Sequence, residues 1–365
     1  MHETMVMDRS ERRSSCGARR GAWHRVGPWV VGVALGTLAG ACKPPKSANP
    51  PLCSFQAATD VELESQTLPP EAWLPIVSPS IDRATMTRRG PVQDACGREL
   101  VAEPSVFAGC PPDAARVVSR PGDPVGLDDL VLGQVGEGRM LAWAHTEDLS
   151  DGDTLGPAAL LFWTDNGLDI HATGIMRAPA KGARLRLHKS SGRPVVIIDA
   201  ERCGADGKCR PETTFVPILS RRFQDLPLYD DEGTCLGRAR FELEQRVDQA
   251  SPGGLTRRFE LQRTVELADE GIVIVDLVTG VELDPADPTA TPRPFRKVST
   301  RRAIELDGER FLIRDKDLWG SVLRDYGLVR EDDCTGPRER SDPDAEDEPF
   351  VEVKGKPPGA GTSRR

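Results

Sequence analysis

Short alternating runs dominate the chain from about residue 101 onward. Apolar or β-branched positions recur every second residue and are cut by Gly, Asp, Asn or Pro. This pattern predicts strands near 115–119, 129–134, 139–145, 158–164, 168–174, 183–188, 194–200 and 212–219. A second set follows Cys235. Residues 238–247 and 255–267 alternate charge and hydrophobe, 271–278 is a more buried Ile/Val run, and 297–306 with 309–313 closes an antiparallel meander around Asp307-Gly308. Asn166-Gly167 between Phe162-Trp163 and Leu168-Asp169-Ile170 reads as a hairpin turn. One helix is predicted, over 317–326, with Gly327 as its cap. The fold expected is mostly β, built of antiparallel sheets as a sandwich or a propeller-like array. Residues 53–100 show little sustained period, and Leu68 to Pro75 reads as an extended strap over the core.

The chain ends differ in composition from this β region. Residues 26–42 form an uncharged apolar run of about 15 residues, preceded by Arg9, Arg12, Arg13, Arg19, Arg20 and Arg25 and ending in small residues. That is the layout of a secretory signal, shorter than the roughly 20 residues of a membrane-spanning helix. The ending Leu38-Ala39-Gly40-Ala41-Cys42 resembles the lipobox of bacterial lipoproteins. The resemblance covers the first 42 residues and implies cleavage before Cys42, whose thiol takes a diacylglyceryl group. Ala39-Gly40-Ala41 also fits ordinary secretion, with the same bond cut and no lipid. Residues 42–52, rich in Pro and polar residues, suit a tether. Residues 336–365, rich in Pro, Gly and charge, read as a disordered tail. Between them the chain is divided into a β-rich part, 53–228, and a meander with the helix, 229–335. Lys43 after the lipid cysteine implies the outer membrane in lipoproteins that resemble enterobacterial ones. The partners implied are the membrane, through the lipid, and other envelope proteins.

Charge and cysteines narrow the classes. The whole chain carries 48 basic and 57 acidic residues; the leader removes six arginines and three acids, so 42 face 54 and the mature net charge is −12. That balance argues against a nucleic-acid partner, whose phosphates need a basic face. Of nine cysteines, Cys16 leaves with the leader, and the Cys42 thiol is consumed if it is lipidated. The remaining seven read as a disulfide framework in an oxidising compartment rather than as a metal site, since the closest spacing is C-x5-C. Asp206-Gly207 brings Cys203 to Cys209 across a hairpin. Cys96 with Cys110 and Cys235 with Cys334 are the next pairs expected, leaving Cys53 over or joined to an unlipidated Cys42.

Chemistry-bearing motifs are sparse. There is no nucleophile elbow, phosphate loop or dinucleotide fingerprint, and no cofactor is implied. Glu147, Asp148, Asp151 and Asp153 share one loop with Gly152, with His145 just before it. A general-base pairing of His145 with Glu147 or Asp148 is the catalytic candidate, set against a half-exposed strand histidine. Asp151 and Asp153 are the calcium candidates, set against a solvated acidic turn. Trp143, Trp163 and Phe162 read as one core cluster. The expected function is a non-catalytic binding or structural module of the cell envelope, with an envelope hydrolase using carboxylates near His145 as the alternative.

Overall fold

The computed structural model describes residues 50–56, 68–101, 103–110, 115–118, 124–136, 138–204, 207–251, 253–268, 271–287 and 289–329. The signal segment, Cys42, most of the tether, Cys334 and the acidic tail lie outside the described residues. The elements in chain order begin with β1 (Cys53–Gln56), α1 (Pro70–Val77), β2 (Val117–Val118), β3 (Leu130–Gly136), β4 (Arg139–Ala144), β5 (Glu147–Leu149) and β6 (Thr154–Thr164). They continue with β7 (Gly167–Ala178), β8 (Lys181–Ser190), β9 (Arg193–Cys203), β10 (Cys209–Leu219), β11 (Arg222–Phe223), β12 (Pro227–Tyr229), β13 (Cys235–Arg238) and β14 (Arg240–Glu242). The last are β15 (Glu244–Ala250), β16 (Thr256–Ala268), β17 (Gly271–Leu283), β18 (Arg293–Asp307), β19 (Arg310–Ile313) and α2 (Leu318–Asp325).

The molecule is mostly β, in two sheets. The first runs β2-β5-β6-β7-β11-β10-β9-β8, with β4 and then β3 continuing from β6, β1 laid on β7, and β14 on β10. It curls back on itself. Gly133 of β3 meets Leu185 of β8 so closely that a Cβ there would lie 2.8 Å from the Leu185 Cβ and carbonyl oxygen. Its concave face is a core of Leu141, Trp143, Leu160, Met176, Val196, Ile198, Val216 and Ile218, drawn from β4, β6, β7, β9 and β10. The second sheet is β13-β12-β19-β18-β17-β16-β15. It packs on the convex side of β9 and β10: Val195, Ile197 and Phe215 meet Ile272, Ile274, Ile304 and Phe311 in one cluster. Side chains alternate across a strand, so Val196 and Ile198 face one core while Val195 and Ile197 face the other. This is a sandwich contact between sheets. Most pairings are antiparallel; β11 runs parallel to β7 and β12 to β19.

Three expectations need correction. The strap over Leu68–Pro75 is instead α1. Pro70 stands at its first turn, where the missing N–H costs nothing. Trp73, Leu74, Ile76 and Val77 are buried in a third core on the outer face of β4, β6 and β7, and this burial outweighs Pro75 inside the helix. The run 238–247 is not one strand. It breaks into β13, β14 and β15, which pair with β12, β10 and β16 in turn, carrying the chain from one sheet to the other. Finally, the aromatic residues do not form one cluster. Trp143 fills the concave core, whereas Trp163 faces the helix side, edge-on to Trp73 with ring centres 6.4 Å apart.

The disulfides staple the irregular stretches to the sheets. Cys203 and Cys209 sit opposite one another in the β9–β10 ladder and are bonded. The expected Cys96–Cys110 link is replaced by Cys53–Cys96 and Cys110–Cys235. β1 pairs with β7 and carries Cys53 to the helix-side core, where Cys96 also packs. Cys53 is therefore not left over, and Cys235 is not available to Cys334. At α2, Asp317 caps the helix: its Oδ2 accepts from the Gly320 N–H at 2.8 Å.

Candidate functional site

The acidic turn between β5 and β6 is the centre of a buried ionic cluster. Gly152 takes φ +83 in that turn, a conformation suited to glycine. The Asp153 N–H donates to Asp151 Oδ1 at 3.1 Å, and the Leu149 N–H to the Asp153 carbonyl at 2.8 Å. Both aspartates then point at arginines from distant strands. The Asp153 side chain, fully buried, accepts from Arg177 Nε at 2.8 Å, Arg202 Nη2 at 2.5 Å and Arg238 Nη1 at 2.9 Å. Asp151 accepts from Arg177 Nη2 at 2.7 Å.

Each arginine holds a second acceptor. Arg202 forks onto Glu212 at 2.8 and 2.9 Å. Arg238 donates through Nε to Asp225 at 2.9 Å and through Nη2 to the Arg177 carbonyl at 2.7 Å. Arg202 and Glu212 share the side-chain parity of Val196, Ile198, Val216 and Ile218, so this network continues the concave face beyond the apolar core. Four carboxylates meet Arg177, Arg202, Arg238 and, at 3.5–3.6 Å, Arg240. The charges balance, as buried ions require. Desolvation raises the Asp153 carboxyl above its ordinary value, opposed by Arg238 and Arg202. At Asp151 the desolvation penalty is outweighed, chiefly by Arg177, and its carboxyl lies below the ordinary value.

The solvated-turn reading fails at Asp153. Asp153 is buried, and its oxygens accept from guanidinium donors. Among the described residues no group of three or more His, Cys, Asp or Glu is placed to hold a metal ion. The neighbouring candidates are dispersed. Glu147 is buried on the Arg88 guanidinium. Asp148 lies in β5 opposite Val118. His145 is not a half-exposed strand residue; it is buried just after β4, its ring edge-on to Trp143 at 4.2 Å.

Beside the hub lies a cleft of about 680 Å³ where the chain crosses between sheets. Asp151, Arg202, Glu212, Arg238 and Arg240 form its charged wall, and Phe107, Leu236 and Phe241 its apolar one. Arg240 is held by long ion pairs, at 3.5 and 3.6 Å, and its side chain is 38% exposed, so its guanidinium is the most open of the four arginines. Guanidinium stays protonated at any ordinary pH and transfers no proton. The Arg240 guanidinium is suited to holding an acceptor group. Sequence reasoning missed Arg177, Arg202, Glu212, Asp225, Arg238 and Arg240 altogether. The available signal was Arg177, a charge set between Met176 and Ala178 in an otherwise apolar strand end. No family model, curated protein or solved structure matches this chain.

Proposed function

We propose that the chain is an exported cell-envelope lipoprotein, anchored through Cys42, whose folded part is a non-catalytic binding or structural module. The observation that carries the reading is the set of three disulfides, Cys53–Cys96, Cys110–Cys235 and Cys203–Cys209. Such bonds persist in oxidising compartments outside the cytosol, which fits a leader ending at Cys42. The commitment of Asp151, Asp153 and Glu147 to arginines supports a module without acid–base machinery, and the cleft beside Arg240 is its binding surface.

The test is the intact mass of the protein expressed with its own leader in a bacterium that processes lipoproteins, before and after reduction. The expected product begins at Cys42, carries a diacylglyceryl thioether and gains two hydrogens for each of three disulfides. Six thiols are thereby used, and a single alkylatable thiol, Cys334, remains in the unreduced protein. A chain still beginning at Met1 overturns the export reading. A product cut before Cys42 without lipid, with Cys42 bonded to Cys334, replaces the anchor with free secretion.

A further inference from the structure

We propose that Cys203–Cys209 is a reversible redox site. It exchanges with external dithiols, by a path assisted by Lys181, while the sheet stays folded and the other two disulfides remain closed.

The three bonds sit in different surroundings. Cys53 and Cys96 pack against the helix-side core. Cys235 is buried, and the Cys110 Sγ lies 3.8 Å from Tyr229 Oη. Cys203 and Cys209 belong to none of the four hydrophobic clusters and stand at the mouth of the β9–β10 hairpin. A second feature singles this bond out. The ammonium of Lys181, at the start of β8, is 3.1 Å from the Cys209 Sγ and 3.3 Å from Glu201 Oε2. Of the charges adjacent in sequence, Arg202 holds Asp153 and Glu212, Arg210 faces Glu242 at 3.6 Å, and Lys208 precedes Cys209.

Thiol–disulfide exchange needs access to one sulfur and a good leaving thiolate on the other. Here a dithiol's thiolate attacks the Cys203 Sγ. The Sγ–Sγ bond breaks with its electron pair on Cys209, where the Lys181 ammonium stabilises the thiolate. The second thiolate of the dithiol attacks its own sulfur in the mixed disulfide and expels Cys203 as thiolate. The reagent leaves oxidised as a disulfide, and its two protons pass to the cysteines. The protein gains two electrons and two protons. The β9–β10 ladder from Arg202↔Arg210 to Val195↔Pro217 is untouched, so the two sulfurs stay opposed and reclose with an oxidant.

The experiment exposes the oxidised mature protein to dithiothreitol for timed intervals at neutral pH, quenches with N-ethylmaleimide and maps the label by peptide mass. Label is expected at Cys203 and Cys209 before any other disulfide-bonded cysteine, with unchanged far-ultraviolet circular dichroism and full reclosure by oxidised glutathione. In Lys181→Gln this opening slows by about threefold, because the leaving thiolate loses its ammonium partner. Lys181→Arg restores it, and the rates at the other two bonds do not move. Simultaneous opening of all three bonds, opening only with loss of the β signal, or an unchanged rate in Lys181→Gln overturns the proposal.

Discussion

Replacing Asp153 by Asn tests whether the hub is a dry ionic centre. The substitution keeps the shape and removes one charge from a side chain with no solvent exposure. Three guanidiniums lose a carboxylate partner at 2.5–2.9 Å, and the new amide presents N–H donors to N–H donors. Breaking a buried ion pair from one side costs about 3–5 kcal/mol. Each arginine retains a second acid: Arg177 has Asp151, Arg202 has Glu212 and Arg238 has Asp225. The expected loss therefore lies at the lower end, about 3 kcal/mol. Urea unfolding of the oxidised protein reads it as a fall in midpoint at constant slope. Arg238→Gln alone is expected to cost a similar amount, and the double variant less than the sum, with a coupling of about 1–3 kcal/mol because the two groups share a bond. A loss under about 0.5 kcal/mol for Asp153→Asn would refute the reasoning. The hub would then behave as an exposed pair does.

Three further outcomes follow from the same geometry. Removing the disulfides as paired Ala variants should cost stability in the order of the loops they close: about 5 kcal/mol for Cys110–Cys235, about 4 for Cys53–Cys96 and about 2 for Cys203–Cys209 by the chain-entropy relation, from separations of 125, 43 and 6 residues; denaturant midpoints check the ranking. Gly156→Ala would place a Cβ 1.7 Å from the Ala144 carbonyl oxygen. It should destabilise by about 3 kcal/mol, while Gly271→Ala, with its nearest atom at 3.8 Å, serves as the tolerant control in the same unfolding assay. Asp248, hydrogen-bonded by Arg246 and then Arg258, titrates down at about 2 rather than 3.8. Its folded value is depressed, so its stabilising contribution is present above the unfolded value and is lost as pH falls through about 2. The contribution is small because its side chain is 40% exposed. Carboxyl NMR should show its midpoint return toward 3.8 in the Arg246→Gln, Arg258→Gln double variant.

The strands were legible because their signal is local. Each run in 129–219 carries its own alternation and its own turn residues, and β6, β7, β9 and β10 appear where the pattern places them, longer by a few residues at the ends. What failed was non-local. α1 is written in a Pro-rich segment without helical period, and only the core beneath it gives Trp73 and Leu74 a reason to coil. The break of 238–247 into three strands depends on which sheet each part meets, since the residues alternate throughout. The cysteine pairing failed for the same reason: only 13 intervening residues favour Cys96–Cys110 by loop closure, but β1 on β7 puts Cys53 next to Cys96 instead.

The hub shows most sharply why the site was hidden. Asp153 reads as a surface acid from its neighbours Ser150, Asp151 and Gly152. Its partners stand 24, 49 and 85 residues away, one each on β7, β9 and β13. No spacing rule joins them, because the turn reaches its arginines through the curl of one sheet and the approach of the next. Aromatic residues are only 5% of this chain, and its irregular stretch between α1 and β3 has little ladder to hold it. Fixing such a chain falls to bonds that act across sequence: Cys53–Cys96 and Cys110–Cys235 bind that stretch to the two sheets, and Asp153 with Arg238 binds the turn of the first sheet to β13 of the second. The charged residues that resembled a loop's solvated edge are thus used as interior fasteners. The cleft lies beside them because three charged side chains of its wall, Arg202, Glu212 and Arg238, are held in place by the same contacts.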